Sequence, residues 1–283
     1  MRGRRWRTRL ALCAAVGAAA LVAGYVAIGG STSGLPFHRL NALPTPDGAK
    51  IWHVVGLGDS IPAGDGCDGC IGFLDLFGQR ITRDVSMHVA VTNLGVGGWT
   101  SADLLASLTA DERAADAVAG ADIITVTIGA NDFNAMLDTF VAGGCGGADG
   151  LGCFQPAMAD MEHNLTAILE RIWQLRGTRP TALRVTGYWD VFIDGAVAVR
   201  TYGPGFERAS SALTEETNEV IKRVAVAERG RYVDLYTPFK GQDGDQDDTQ
   251  LLAPDGDHPS QAGDQEIADS LTEQGYAPLG TRP

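Results

Sequence analysis

From residue 51 onward the apolar positions keep two rhythms in turn. Short dense runs at 51–57, 88–94, 122–128, 183–188 and 232–236 read as strands. The run 122–128 is the strongest, because β-branched residues fill nearly all of it. Between the runs, apolar residues recur at helical spacing: Phe73, Leu76, Phe77 and Ile81 within 71–84, and Leu104, Leu105 and Leu108 within 101–118. Further helices are predicted at 156–175, opening on Pro156, at 215–228 and at 262–274. Glycine-rich segments follow the first three strands, and 241–248 is an acidic, polar stretch expected as a surface loop. This alternation predicts one α/β domain over 51–283. Its expected form is a three-layer α/β/α sandwich on a mainly parallel five-stranded sheet, with right-handed crossovers. Ligands of such sheets bind beyond the carboxyl ends of the strands.

The first 50 residues break this pattern. Five arginines precede an apolar run from Leu10 to about Ile28, which reads as an export signal or a retained membrane anchor. Either places the body outside the cytoplasm, secreted or membrane-tethered through residues 10–28. Residues 31–50 have the Ser, Thr, Pro and Gly content of a linker. The domain plan is therefore 1–30 signal or anchor, 31–50 linker and 51–283 folded body, expected as a monomer.

Charge excludes one class of partner. The net charge is −13, and without the arginines of residues 1–9 the rest carries about −18. Such a surface repels phosphate backbones, so no nucleic-acid partner is expected. Besides Cys13 there are four cysteines, Cys67, Cys70, Cys145 and Cys153. Their even number in an exported chain predicts two disulfides. Three pairings exist; closeness in sequence within glycine-rich loops favours Cys67–Cys70 and Cys145–Cys153. No histidine stands at ligand spacing beside them. Asp243, Asp245 and Asp247 lack the glycine and glutamate of a calcium loop, with Asp248 and Pro254 in those places. Neither a metal nor a cofactor is expected.

Candidate chemistry sits at the strand ends. Ser60, in Gly58-Asp59-Ser60, follows the first strand; such a serine can be a nucleophile or simply a helix cap. A serine nucleophile needs a base, and His258 in Asp255-Gly256-Asp257-His258-Pro259 is the best placed histidine. Asp255, three residues earlier across a glycine, can turn back and accept its Nδ1–H. Developing negative charge on a carbonyl oxygen needs donors. The turn Asn93-Leu94-Gly95-Val96-Gly97-Gly98 supplies backbone amides, and Asn131 in Gly129-Ala130-Asn131-Asp132 supplies a side-chain amide. Of the aromatic residues near the rim, Phe73, Trp99, Phe133, Trp189 and Phe192, the best candidates for lining a substrate pocket are Trp99 and Phe133, each directly after one of these blocks.

Taken in order, the four blocks resemble those of the SGNH/GDSL hydrolases, over about residues 51–275, with Ile61 where leucine is usual. The resemblance implies a flavodoxin-like sheet and a serine esterase or lipase that cleaves carboxylic esters of a lipid, an acylated glycan or a small alcohol. It assigns the nucleophile to Ser60, the base to His258 and its orienting acid to Asp255. The oxyanion hole becomes the amides of Ser60 and Gly98 with the Asn131 side chain. A carbohydrate O-deacetylase, an acyltransferase using the same serine, or a non-catalytic binding protein are the rival expectations.

Overall fold

The computed structural model describes residues 51–280. The predicted segments 1–30 and 31–50 lie outside them. Five strands, β1 (Ile51–Gly58), β2 (His88–Gly95), β3 (Ile123–Thr127), β4 (Ala182–Thr186) and β5 (Arg231–Val233), form one sheet in the order β2-β1-β3-β4-β5, with every pairing parallel. Strands β3 and β4 are buried along their whole length and β1 over most of it, as strands covered on both faces must be. Edge strand β2 alternates between exposed and half-buried positions instead.

Ten helices are described: α1 (Ser60–Ala63), α2 (Phe73–Val85), α3 (Ser101–Ala110), α4 (Glu112–Gly120), α5 (Leu137–Val141), α6 (Gln155–Arg176), α7 (Gly195–Tyr202), α8 (Pro204–Ala227), α9 (Tyr236–Lys240) and α10 (Gln261–Glu273). Two short 3₁₀ segments, Ala130–Met136 and Gly152–Phe154, precede α5 and α6. Helices α2 and α10 pack on each other in one outer layer, while α3, α4, α6 and α8 contact one another in the other. Right-handed crossovers demand this split, because the chain moves one way from β1 to β2 and the opposite way thereafter. The two directions part at β1, so the crevice at its carboxyl end is the topological switch point.

Several predicted boundaries move, each for a local reason. The helix expected over 101–118 is two helices, because Asp111 is extended (φ −95°, ψ 109°) and its carboxylate caps the Arg113 amide at 2.9 Å. The strand expected over 232–236 stops at Val233, since the Asp234 carboxylate accepts from the amides of Tyr236 and Thr237 and starts α9. Helix α8 begins eleven residues before the predicted 215, at Pro204. The stretch before 215 buries the polar Ser210 and Thr214 beside Phe206 and Leu213, which hides the apolar period. The expected surface loop 241–248 ends inside the protein: Asp248 is 1% exposed and lies 4.0 Å from the buried Lys240 ammonium.

Candidate active site

Register brings three strand ends level. Gly58, the last residue of β1, is paired with Gly95 on one side and Thr127 on the other. Its carbonyl accepts from the Val96 amide at 3.0 Å, and the next amide, Asp59, donates to the Thr127 carbonyl at 3.1 Å. A side-chain carbon at Gly58 (φ +143°) would sit 1.8 Å from that carbonyl oxygen, so only glycine permits the turn.

Asp59 then builds the socket for Ser60. It is buried, with Oδ1 accepting from the Ile61 amide at 3.0 Å and Oδ2 from the Tyr188 hydroxyl at 2.5 Å. Burial outweighs both bonds and raises its pKa to about 7. Ser60 opens α1, where amides have no acceptor within the helix. Asp59 takes the amide of Ile61, and Pro62 has none. The Ser60 N–H is therefore the one first-turn donor left without a partner from its own helix or cap.

The other blocks are tied to this one. The Asn93 amide donates to the Pro62 carbonyl, and its oxygen accepts from Gly95 at 2.9 Å, fastening the end of β2 to α1. In the turn that follows, Gly98 (φ +79°) has open space where a side chain would stand. The Asn131 carboxamide is fixed from both ends: Nδ2 donates to the Trp99 carbonyl at 3.0 Å and Oδ1 accepts from Asn134 at 2.9 Å. One Nδ2 hydrogen stays available. Asp132 ties the third block to the start of α3, just after the second block, its carboxylate accepting from both the amide and the hydroxyl of Ser101. Burial pushes the Asp132 pKa up against those bonds.

Asp255 and His258 lie on a hairpin after α9, closed by an antiparallel bridge between Leu252 and Pro259 and by the Ala253 amide donating to the His258 carbonyl at 2.8 Å. Asp255 Oδ1 accepts from the amides of Asp257 and His258, and Oδ2 meets His258 Nδ1 at 2.8 Å. Partial burial works against its charge, yet these amides and the imidazole hold the Asp255 carboxyl below the usual range. The carboxylate claims Nδ1, which leaves Nε2 as the free ring nitrogen. Charge on His258 lowers the Asp59 pKa, as a group near the socket must, while Asp257 raises it. Among the described residues no hydrogen bond joins Ser60 Oγ to the His258 ring.

A cleft of about 180 Å³ opens at Ser60, and Asn131 and Asp257 are in its lining. Its apolar wall comes from Ile61, Leu137 and the segment Val191, Phe192 and Ile193. The pocket expectation for Trp99 and Phe133 is corrected here. Phe133 is wholly buried, its ring edge-on to Phe154 at 5.8 Å, and Trp99 packs half-buried against the core; neither lines the cleft. Sequence position beside the glycine and asparagine blocks did not decide this, because the 3₁₀ turn after Gly129 rolls Phe133 inward.

Of the wall segment after β4 the sequence offered only its aromatics: Phe192 lines the cleft, whereas Trp189 is buried against Phe239. Asn218 holds the segment at Tyr188 through two bonds, 2.9 Å to its amide and 2.8 Å from its carbonyl. Asp190, in the lining and 3% exposed, accepts from Ser210 and from the Phe192 amide; burial first, then the charge of Asp194, raises its pKa well above normal. Asp194 accepts the Lys240 ammonium at 2.6 Å, and its amide donates to the Gly256 carbonyl at 2.7 Å, joining wall and hairpin. The signal for these contacts was a lysine and several aspartates in unremarkable loops. Cys67 is paired with Cys70, and Cys145 with Cys153. No group of three His, Cys, Asp or Glu suited to a metal ion occurs among the described residues.

A parallel β2-β1-β3-β4-β5 sandwich is the fold of the SGNH hydrolases. A family model for the GDSL-like lipase/acylhydrolase family matches residues 57–266, and the chain belongs to that family. Among curated proteins none matches the sequence. Similar solved structures include the lipase Lip_vut3 from a goat rumen metagenome, at 22% identity and TM-score 0.67, over 81% of this chain and 100% of that one. An Enterococcus faecalis lipase/acylhydrolase follows at 22% and 0.55, over 82% and 99%, and a Streptomyces rimosus extracellular lipase at 20% and 0.57, over 78% and 99%.

Proposed function

We propose that the protein is an exported serine esterase that hydrolyses esters of short acyl groups through an acyl-enzyme on Ser60. The Asp255–His258 contact at 2.8 Å, on a hairpin beside the Ser60 socket, carries the reading. His258 Nε2 accepts the Ser60 hydroxyl proton as the oxygen attacks the ester carbonyl. The oxyanion is met by the amides of Ser60 and Gly98 and by the spare Asn131 Nδ2 hydrogen. The tetrahedral adduct collapses, the carbonyl–alkoxy bond breaks, and His258 gives its proton to the departing alcohol. Water then repeats the route and frees the acid.

Cleft size supports the short acyl group. A cavity of about 150 Å³ holds benzene, so the space here, about 180 Å³, suits an acyl portion of roughly six carbons or fewer. The same size favours acetyl removal from an acylated alcohol such as a glycan as the second reading. Export rests on the basic and apolar N-terminal run together with two disulfides. Among the described residues no helix is long and apolar enough to cross a membrane.

A panel of p-nitrophenyl esters from acetate to palmitate, run on the parent and on Ser60→Ala, tests the proposal. Turnover should peak at acetate to hexanoate and vanish in the variant. A Ser60→Ala protein as active as the parent, or a peak at palmitate, would sink the corresponding half of it.

A further inference from the structure

The segment 64–72 links α1 to α2 and contains four glycines in nine residues, Gly64, Gly66, Gly69 and Gly72. Such a chain is costly to hold in one conformation. Yet it is the backing of the imidazole: a methyl group at Gly66 would lie 2.5 Å from His258 Cβ, 2.7 Å from Asp255 Oδ2 and 2.8 Å from His258 Cγ. Backbone of this segment therefore presses on both members of the acid–base pair, with no side chain between.

Its two ends are secured by different parts of the fold. On the near side the Asp65 amide donates to the Ser60 carbonyl at 3.1 Å. On the far side Gln261, three residues after His258, makes two bonds to the backbone of Ile71, and Asp264 accepts from the Phe73 amide. Between these anchors the Cys67–Cys70 bridge is the remaining constraint, with a bond from the Cys70 amide to the Cys67 carbonyl inside its small ring. Both cysteines are half-buried, within reach of a small thiol.

We propose that the Cys67–Cys70 disulfide is a positioning element for His258, making the bridged protein the fast enzyme and its dithiol form a slow one. The inference rests on the reading of Ser60 and His258 given above. Opening the bridge frees Gly66 to withdraw, and the imidazole loses the wall that sets its approach to Ser60. Displacement by about 1 Å can cost on the order of 10²-fold in rate. Substrate binding, which depends on the wall 188–193, is left in place. With dithiothreitol the balance is simple: the S–S bond breaks, the reagent gives two electrons and two protons to the cysteine sulfurs, and it departs as its cyclic disulfide.

The test measures kcat and KM on p-nitrophenyl acetate for the full chain, with and without dithiothreitol, and for Cys67→Ser/Cys70→Ser and Cys145→Ser/Cys153→Ser. Opening the first bridge, by mutation or reagent, should lower kcat between about 10- and 100-fold with KM within about twofold. Reoxidation should restore the parent, and the reagent should do nothing more to Cys67→Ser/Cys70→Ser. Cys145→Ser/Cys153→Ser should keep parental kcat and stay sensitive to the reagent. Parental kcat in Cys67→Ser/Cys70→Ser overturns the proposal, as does a reagent effect that persists in it. Should that variant fail to fold, dithiothreitol on Cys145→Ser/Cys153→Ser decides, since Cys67–Cys70 is then the bridge left to open among the described residues: a reversible fall in kcat at constant KM supports the proposal and parental kcat refutes it. A parent inert on every ester would instead strike down the hydrolase reading, and this inference with it.

Discussion

Tyr188 donates its hydroxyl hydrogen to Asp59 Oδ2 at 2.5 Å, joining the end of β4 to the residue beneath Ser60. The bond stabilises the carboxylate and so lowers an Asp59 pKa that burial has raised to about 7. A carboxyl that titrates higher folded than unfolded binds more protons in the folded state. Its effect therefore favours folding below about pH 4, and that advantage is lost as pH rises through about 7. Tyr188→Phe should push the loss further up the pH scale. The Tm gap between variant and parent should widen from pH 4 to pH 9, and a constant gap would contradict the coupling.

Asn131 is held by Trp99 and Asn134 rather than by the core, so its truncation should spare the fold. Asn131→Ala is expected to lose about 10²–10³ in kcat on an activated ester, with an unchanged circular dichroism spectrum. Equal turnover by variant and parent would remove Asn131 from the oxyanion hole.

Chain-length preference should follow the observed wall. Ile193→Ala enlarges the cleft and should move the preferred acyl group towards longer chains. Phe133→Ala should instead cost about 3–5 kcal/mol of stability, read from denaturant unfolding, with the preference unmoved. A shift in the second variant and none in the first would reverse the assignment.

Lys240 is wholly buried and bonded to Asp194, itself fully enclosed. Lys240→Met strands that carboxylate and should cost about 3–5 kcal/mol. Adding Asp194→Asn, which removes the stranded charge and keeps an oxygen for the Gly195 amide, should recover most of the loss. Additive penalties in the pair would show that the two groups are not coupled.

Much of the architecture was legible because parallel buried strands leave dense apolar runs, and glycine turns mark where they end. All five strands fell close to their predicted places, while β5 was shortened by a single capping aspartate. Within the last block the contact is local, Asp255 on His258 three residues away, and such a pairing can be read from spacing; Asn93 on Pro62 and Asn131 on Trp99 reach more than thirty residues and cannot. Contacts that span the chain left no such trace. Tyr188 on Asp59, Asp132 on Ser101 and Gly66 behind His258 bring together segments that only the sheet order makes adjacent. Phe133 misled because its neighbours in sequence are not its neighbours in space.

The wall segment that begins at Tyr188 is fastened at its two ends by Asn218 and by the Lys240–Asp194 pair, and among the described residues it meets the Ser60 socket and the His258 hairpin only at those ends, through Tyr188 on Asp59 and Asp194 on Gly256. Exchanging the few side chains between those two moorings can retune which esters fit while the reacting groups keep their places. Diversity of diet and constancy of chemistry are thereby assigned to separate stretches of one polypeptide.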